Sequence, residues 1–361
     1  MTETPQRMQS LRRNIVALAS LPETESPLIS AYFDATEAPE AMRLLLGIWS
    51  SSVRSTFCRE HQQDFEEAKR AVLDVVADGW PPGCRSVAVF ARGGESPMKM
   101  VVPLGARIEP SFHASELPVI FPLIQAKDRF HRYVIAICSE ESARILEVTL
   151  GAVSEELLAT TPELRSRLGR EWTREHYHHQ KRERHRRFVS EKVEIISDLM
   201  SRRGHNHLLL AGHPRYVNRL KDALPKHLAA RVVGEISKSP NGKDYSSILE
   251  ESLDAFVAAE YEESIQNVVR LHQEIRRGGL GVVGIEESLR AVRDGSADLL
   301  IISENLPDEE REALVRLATL RDVSIEVCED DPLIDDYGGV GCLLRYRVEF
   351  AKSWAVEEPV I

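Results

Sequence analysis

Apolar residues recur along this chain in two rhythms. Val189, Val193, Ile196 and Met200 fall at i, i+4, i+7 and i+11, the spacing of a helix with one buried face. Upstream of them, between Arg170 and Arg187, the large apolar residues are Trp172 and Tyr177, which form no stripe. The pattern therefore predicts one helix from about Gly169 to Met200, apolar-faced at one end and polar all round at the other. Short runs rich in β-branched and aromatic residues predict strands over Ser26–Asp34, Arg85–Ala91, Met98–Leu104, Arg132–Ser139 and Ala143–Val153. Further strands are expected over His207–Gly212, Ala230–Ile236, Ala297–Ser303, Val323–Glu329 and Cys342–Val348. Helices are expected at the N-terminus, from Pro39 to about Gly79, and over Tyr216–Leu224, Ser246–Arg276, Gly284–Ser296 and Pro307–Leu320. Residues 105–130 alternate short apolar runs with prolines and yield no clear element.

This order of elements makes the fold class α/β, in three domains. Residues 1–130 read as an α+β domain. Residues 131–260 alternate strands and helices, as a mostly parallel sheet requires. Residues 261–361 read as an α/β/α sandwich whose compact part opens after the turn Arg276–Gly279. The glycine-rich stretch Gly278–Gly284 lacks the pattern of a phosphate loop and is expected to be an interdomain turn. Arg345, in the last expected strand, is expected to pair with an acid of the third domain.

Charge changes the picture at one place. The chain carries a formal −11, yet Arg170–Arg187 holds seven cations against three anions, before counting His176, His178, His179 and His185. A helix packed at one end and basic at the other is expected to lay the basic end against a polyanion, a phosphate backbone above all. A solvated helix of charge pairs is the plainer alternative. The residues expected to bind RNA are Arg170, Trp172, Arg174, His178, His179, Lys181, Arg182, Arg184, Arg186 and Arg187, with the histidines and aromatics suited to stacking. No metal is expected, because the HYHH histidines are flanked by arginines and lack a carboxylate or cysteine at zinc spacing. Gly212–Pro214, between an expected strand and helix, could offer amides to an anion or be a plain turn. No pattern of a nucleophile with its base is present, so no catalytic residue and no cofactor is expected. The five cysteines are odd in number and widely spaced, which points to free thiols in a reducing cytoplasm. No window approaches a membrane span, and the N-terminal segment reads as a helix, not a signal peptide.

Three stretches resemble one superfamily in the same order. Gly338–Val348, GGVGCLLRYRV, is similar to the closing strand of the archaeo-eukaryotic class-one release factors and Pelota. Gly284–Leu306, GIEESLRAVRDGSADLLIISENL, resembles the opening of their C-terminal domain. Upstream, the hairpin RYVIAICSEESARILEVTLG, the basic helix and HLLLAG follow the layout of their central, RNase-H-like domain. The likeness covers about residues 131–348. SPLISAYFD followed by a long helix resembles the opening of the bacterial branch, which includes the Pelota-like ribosome hibernation factors.

The chain departs from the release factors at the tip that carries their Gly-Gly-Gln tripeptide. Alignment back from Phe188 puts that tip near Arg170–Glu171–Trp172, and no Gly-Gly-Gln occurs anywhere in the chain. The resemblance therefore implies a cytoplasmic factor that binds the ribosomal A site and its rRNA without releasing peptide, in hibernation (protection) or rescue. It also implies elongation factor Tu or another translational GTPase as a partner, with no membrane, and the chain is expected to be a monomer. One alternative is a hydrolase of peptidyl-tRNA or an RNA-cleaving enzyme using His178, His179 or Glu171. Another is a module that binds only protein.

Overall fold

The computed structural model describes residues 4–81, 83–129, 132–139, 142–149, 152–160, 174–203, 205–238, 246–329 and 331–347. Within these, the side chains of 4–10, 142, 149, 152–160, 174–187, 203 and 246 fall outside the description. The fold is α/β, built on three sheets.

The first sheet follows α1 (Thr4–Ala19) and contains β1 (Leu28–Asp34). After α2 (Pro39–Arg54) and α3 (Arg59–Asp78) come β2 (Ser86–Arg92), β3 (Met98–Leu104) and β4 (Ser111–Ser115). Their antiparallel order is β3-β2-β1-β4. Every residue of β1 is buried, so both faces of this sheet are covered. Ile29, Ala31 and Phe33 point to α2 and α3, whereas Leu28 and Tyr32 point to the opposite core. The single helical stretch expected over 39–79 is two helices. Ser50, Ser51, Ser52, Ser55 and Thr56 each donate to the carbonyl three residues back, local bonds that compete with continuation of the helix.

The second sheet begins after α4 (Phe121–Arg129). Its strands are β5 (Tyr133–Cys138), β6 (Ser142–Thr149), β7 (Ala152–Thr160), β8 (His207–Gly212) and β9 (Val232–Ile236), in the order β7-β6-β5-β8-β9. β5, β6 and β7 are antiparallel, while β8 and β9 run parallel to β5. The stretch expected as one strand over Ala143–Val153 is thus parts of two. One face is covered by α5 (Arg174–Arg203), α6 (Pro214–Ala223) and α7 (Lys226–Ala229). The other face is covered by the first half of α8 (Ser246–Arg276), through Ile248 and Phe256.

α8 runs on without interruption, so the boundary expected at 260/261 falls inside one helix. Its second half places Val268, Leu271 and Ile275 on the third sheet. That sheet holds β10 (Gly281–Val283), β11 (Ala297–Ser303), β12 (Ser324–Cys328) and β13 (Val340–Leu344), in the order β10-β13-β11-β12. α9 (Ile285–Arg293) and α10 (Asp308–Leu320) lie on its other face, and α11 (Pro332–Asp335) lies on the α8 side. The stretch expected as an interdomain turn therefore contains a short strand, β10. The last strand ends at Leu344, earlier than expected. Arg345 beyond it donates its N–H to Ser296 O at 2.8 Å and its Nε–H to Asp298 at 3.3 Å, an acid of the third domain as expected.

The first and third sheets share one hydrophobic core, in which Leu11, Ile15, Tyr32 and Phe121 meet Leu314, Val315 and Ala318. Polar side chains fasten the joint. Glu312 accepts the N–H groups of Ile120 at 2.9 Å and Phe121 at 2.8 Å, satisfying amides at the start of α4. Arg316 donates to Ala19 O at 2.8 Å and Pro118 O at 3.1 Å, and Arg311 lies 4.1 Å over the Phe121 ring. No described helix is long and apolar enough to cross a membrane.

Candidate nucleic-acid interface

α5 is 30 residues long, about 45 Å at the usual rise per residue. Its C-terminal half is packed. Phe188, Lys192, Ile196, Leu199 and Met200 are buried against Val134, Ala136, Cys138, Ile145, Leu208 and Leu210 of the sheet, with Val189, Val193 and Ile195 at the margin. The stripe is therefore centred one residue earlier than the apolar pattern alone indicates. Lys192 accounts for the shift. It is 3% exposed, with its Nζ 3.8 Å from the centroid of the Phe188 ring. Its methylene stem serves as apolar surface and its charge meets an aromatic face. Burial holds its pKa below the ordinary lysine value, and burial raises that of the nearby Cys138 thiol. Treating Lys as polar hid the repeat 188, 192, 196, which is itself a helical spacing.

N-terminal to Phe188 the helix continues for fourteen residues. Arg174, His178, His179, Lys181, Arg182, Arg184, Arg186 and Arg187 all lie on this one helical segment, though their side chains are outside the description. Arg170 and Trp172 lie outside the described residues altogether, as does Glu171.

Gly212 joins β8 to α6 with φ +130°, and a Cβ there would lie 2.1 Å from the Cys138 carbonyl oxygen. Only glycine fits that approach. His213 then caps α6, its Nδ1 accepting the Arg215 N–H at 3.2 Å. That bond already uses one of the amides that an anion at Gly212–Pro214 would need. It also fixes the tautomer, with the proton on Nε2 when the ring is neutral.

Two histidine clusters escaped the sequence reading because their partners are distant in the chain. His205 Nε2 lies 2.8 Å from Glu147 Oε1 in the interior, tying the turn before β8 to β6. His207 sits between two acids of α8, with Nδ1 3.2 Å from Glu260 and Nε2 3.4 Å from Glu263. These three residues could hold a cation. The imidazole turns one nitrogen to each carboxylate, so each ring nitrogen already faces an acid of α8. In the first domain a cavity of about 440 Å³ is lined by His61, Asp64, Arg92 and the acids Glu25, Glu60 and Glu95. Cys138, Cys328 and Cys342 are buried and all five thiols are free; burial pushes Cys328 and Cys342 up to about 12. None of the three is poised as a nucleophile at neutral pH.

Residues 118–256, which contain α4, the whole second sheet and α5, match the bacterial archaeo-eukaryotic release factor family 10. No curated protein matches the chain. Among solved structures, the archaeal translation termination factor aRF1 is 16% identical, with 94% of this chain and 98% of that one covered and a TM-score of 0.29. Archaeoglobus fulgidus Pelota is 14% identical over 73% of this chain and 80% of its own, with a TM-score of 0.38. S. cerevisiae Dom34, a translation termination-like factor of RNA quality control that interacts with Hbs1, is 11% identical over 73% and 81%, with a TM-score of 0.44.

Proposed function

We propose that this chain, whose residues 118–256 match a bacterial archaeo-eukaryotic release factor family, belongs to the release factor and Pelota superfamily and is a ribosome-associated translation factor that occupies the A site without releasing peptide. The observation that carries the reading is α5. A chain of net charge −11 concentrates cations on one helical segment, and the apolar residues of the same helix anchor it to the sheet. Phosphate is the ligand that such a segment suits, and ribosomal RNA is its source. Dom34 interacts with Hbs1, which makes a translational GTPase such as elongation factor Tu the partner to test. The absence of Gly-Gly-Gln in the sequence favours protection or rescue over termination.

Co-sedimentation with 70S ribosomes over a salt series tests this reading. Binding should be present at low salt and fall steeply as salt rises. A protein that stays in the supernatant at low salt would overturn the proposal. Incubation with ribosomes carrying peptidyl-tRNA should release no peptide above the ribosome-only background. Release that is lost on replacing Glu171 or His178 would favour the hydrolase instead.

A further inference from the structure

A second set of cations lies beside α5, on the outer face of α6 and α7. α6 buries Val217 and Leu220 and turns Arg215, Asn218, Arg219, Lys221 and Asp222 outward; α7 adds Lys226 and His227. Lys221 is neutralised by Glu235 at 2.5 Å. Arg215, Arg219 and Lys226 have no acidic partner among the described residues. Arg215 and Arg219 are one helical turn apart, where like charges repel unless an anion lies between them. Asp222 is the one acid that α6 and α7 contribute to this face. No large apolar side chain is exposed there among the described residues, so the face is built for charge and not for an apolar partner.

The topology sets this face next to the basic segment. α5 leads into β8 and α6 follows it, so both helices run antiparallel to β8 on the same side of the sheet, sharing a core. α6 therefore begins at the end of the sheet toward which the N-terminal, basic part of α5 lies. The packed half of α5 turns Glu191, Glu194 and Asp198 to solvent, with Asp198 paired to Arg202 at 2.6 Å. The described part of α5 is therefore acidic toward solvent, and the exposed cations described beside it are those of α6 and α7.

We propose that Arg215, Arg219 and Lys226 form a second contact to RNA phosphates, so that the central domain holds the backbone with two helices. This deepens the reading of α5 and rests on it for the identity of the polyanion. The full chain and the triple variant R215A/R219A/K226A should be compared by fluorescence anisotropy with a short RNA duplex across a salt series. A control variant, R276A/R277A/R293A, removes three exposed arginines from the third domain. The α6–α7 variant should bind at least tenfold more weakly at low salt and lose roughly 2–3 from the slope of log K against log salt, about 0.9 per phosphate contact. The control should keep the wild-type slope. All three positions are exposed, so circular dichroism should be unchanged, and R215K/R219K should recover most of the binding. A wild-type affinity and slope in the α6–α7 variant would overturn the inference. So would an equal loss of binding to polyglutamate, which would point to an acidic protein. If the wild type binds the duplex through these residues but does not sediment with ribosomes, the surface holds and the ribosomal reading falls.

Discussion

Asp34 closes β1 with its carboxylate buried, accepting hydrogen bonds from the Thr36 N–H at 2.9 Å and hydroxyl at 2.5 Å, with Arg107 at 3.0 Å. Burial alone would raise its pKa. The bonds from Thr36 and the charge of Arg107 outweigh burial and hold the value below the ordinary one. A depressed folded-state pKa adds stability that is present above the unfolded value, about 3.9, and disappears as pH falls through the folded one. Asp34→Asn should therefore cost roughly 1.5 kcal/mol at pH 7, with the gap to wild type closing below pH 4. Urea unfolding at the two pH values measures this, and a gap of constant size would refute it. Lys192 shows the same scale from the other side, as a charged residue whose stem, not its charge, decides where it sits.

At the scale of elements, α5 divides its labour along its length. The packed half fixes the helix, so the basic half can change without loss of fold. Replacing Arg182, Arg184, Arg186 and Arg187 by alanine should leave the far-ultraviolet spectrum and melting temperature near wild type, because alanine favours helix and the buried residues from Phe188 onward are untouched. The same variant should sediment less with ribosomes and show a flatter salt dependence. Unchanged sedimentation would remove α5 as the principal contact. Comparison with the α6–α7 variant would show whether the two helices contribute independently.

The whole molecule is organised by a contact between the two ends of the chain. The first and third domains share a core, while α8 joins the third domain to the central one. Glu312 and Arg316 supply part-buried polar bonds across the first joint, and burial lifts the Glu312 carboxyl above the ordinary glutamate range. Arg316→Ala would leave the Ala19 and Pro118 carbonyls without this donor, a loss of about 1–3 kcal/mol. The first and third domains should unfold in one transition in the wild type. In the variant that transition should move to lower denaturant, with earlier proteolytic cleavage between α1 and β1. An unchanged midpoint would show that the apolar core alone holds the joint.

Sequence pattern by itself determined the rhythm of most elements, the bipolar character of α5 and the likeness to release factors, because these reside in residues one to four positions apart or in short contiguous runs. It missed β4, α4 and β7, where prolines or acids interrupt the apolar rhythm. It also ran α2 into α3, since hydroxyl side chains that end a helix leave its periodicity intact. Apolar residues on both faces of β1, Leu28 and Tyr32 on one and Ile29, Ala31 and Phe33 on the other, announce two covered faces, yet nothing near it in sequence says that Leu314, Val315 and Ala318 of α10 lie in the core on the second. Hydrophobic attraction is non-directional and names no partner. The tertiary structure alone therefore decided that the chain's ends share a core, that Lys192 is inside, and that α5 and α6 pack on the same side of the sheet.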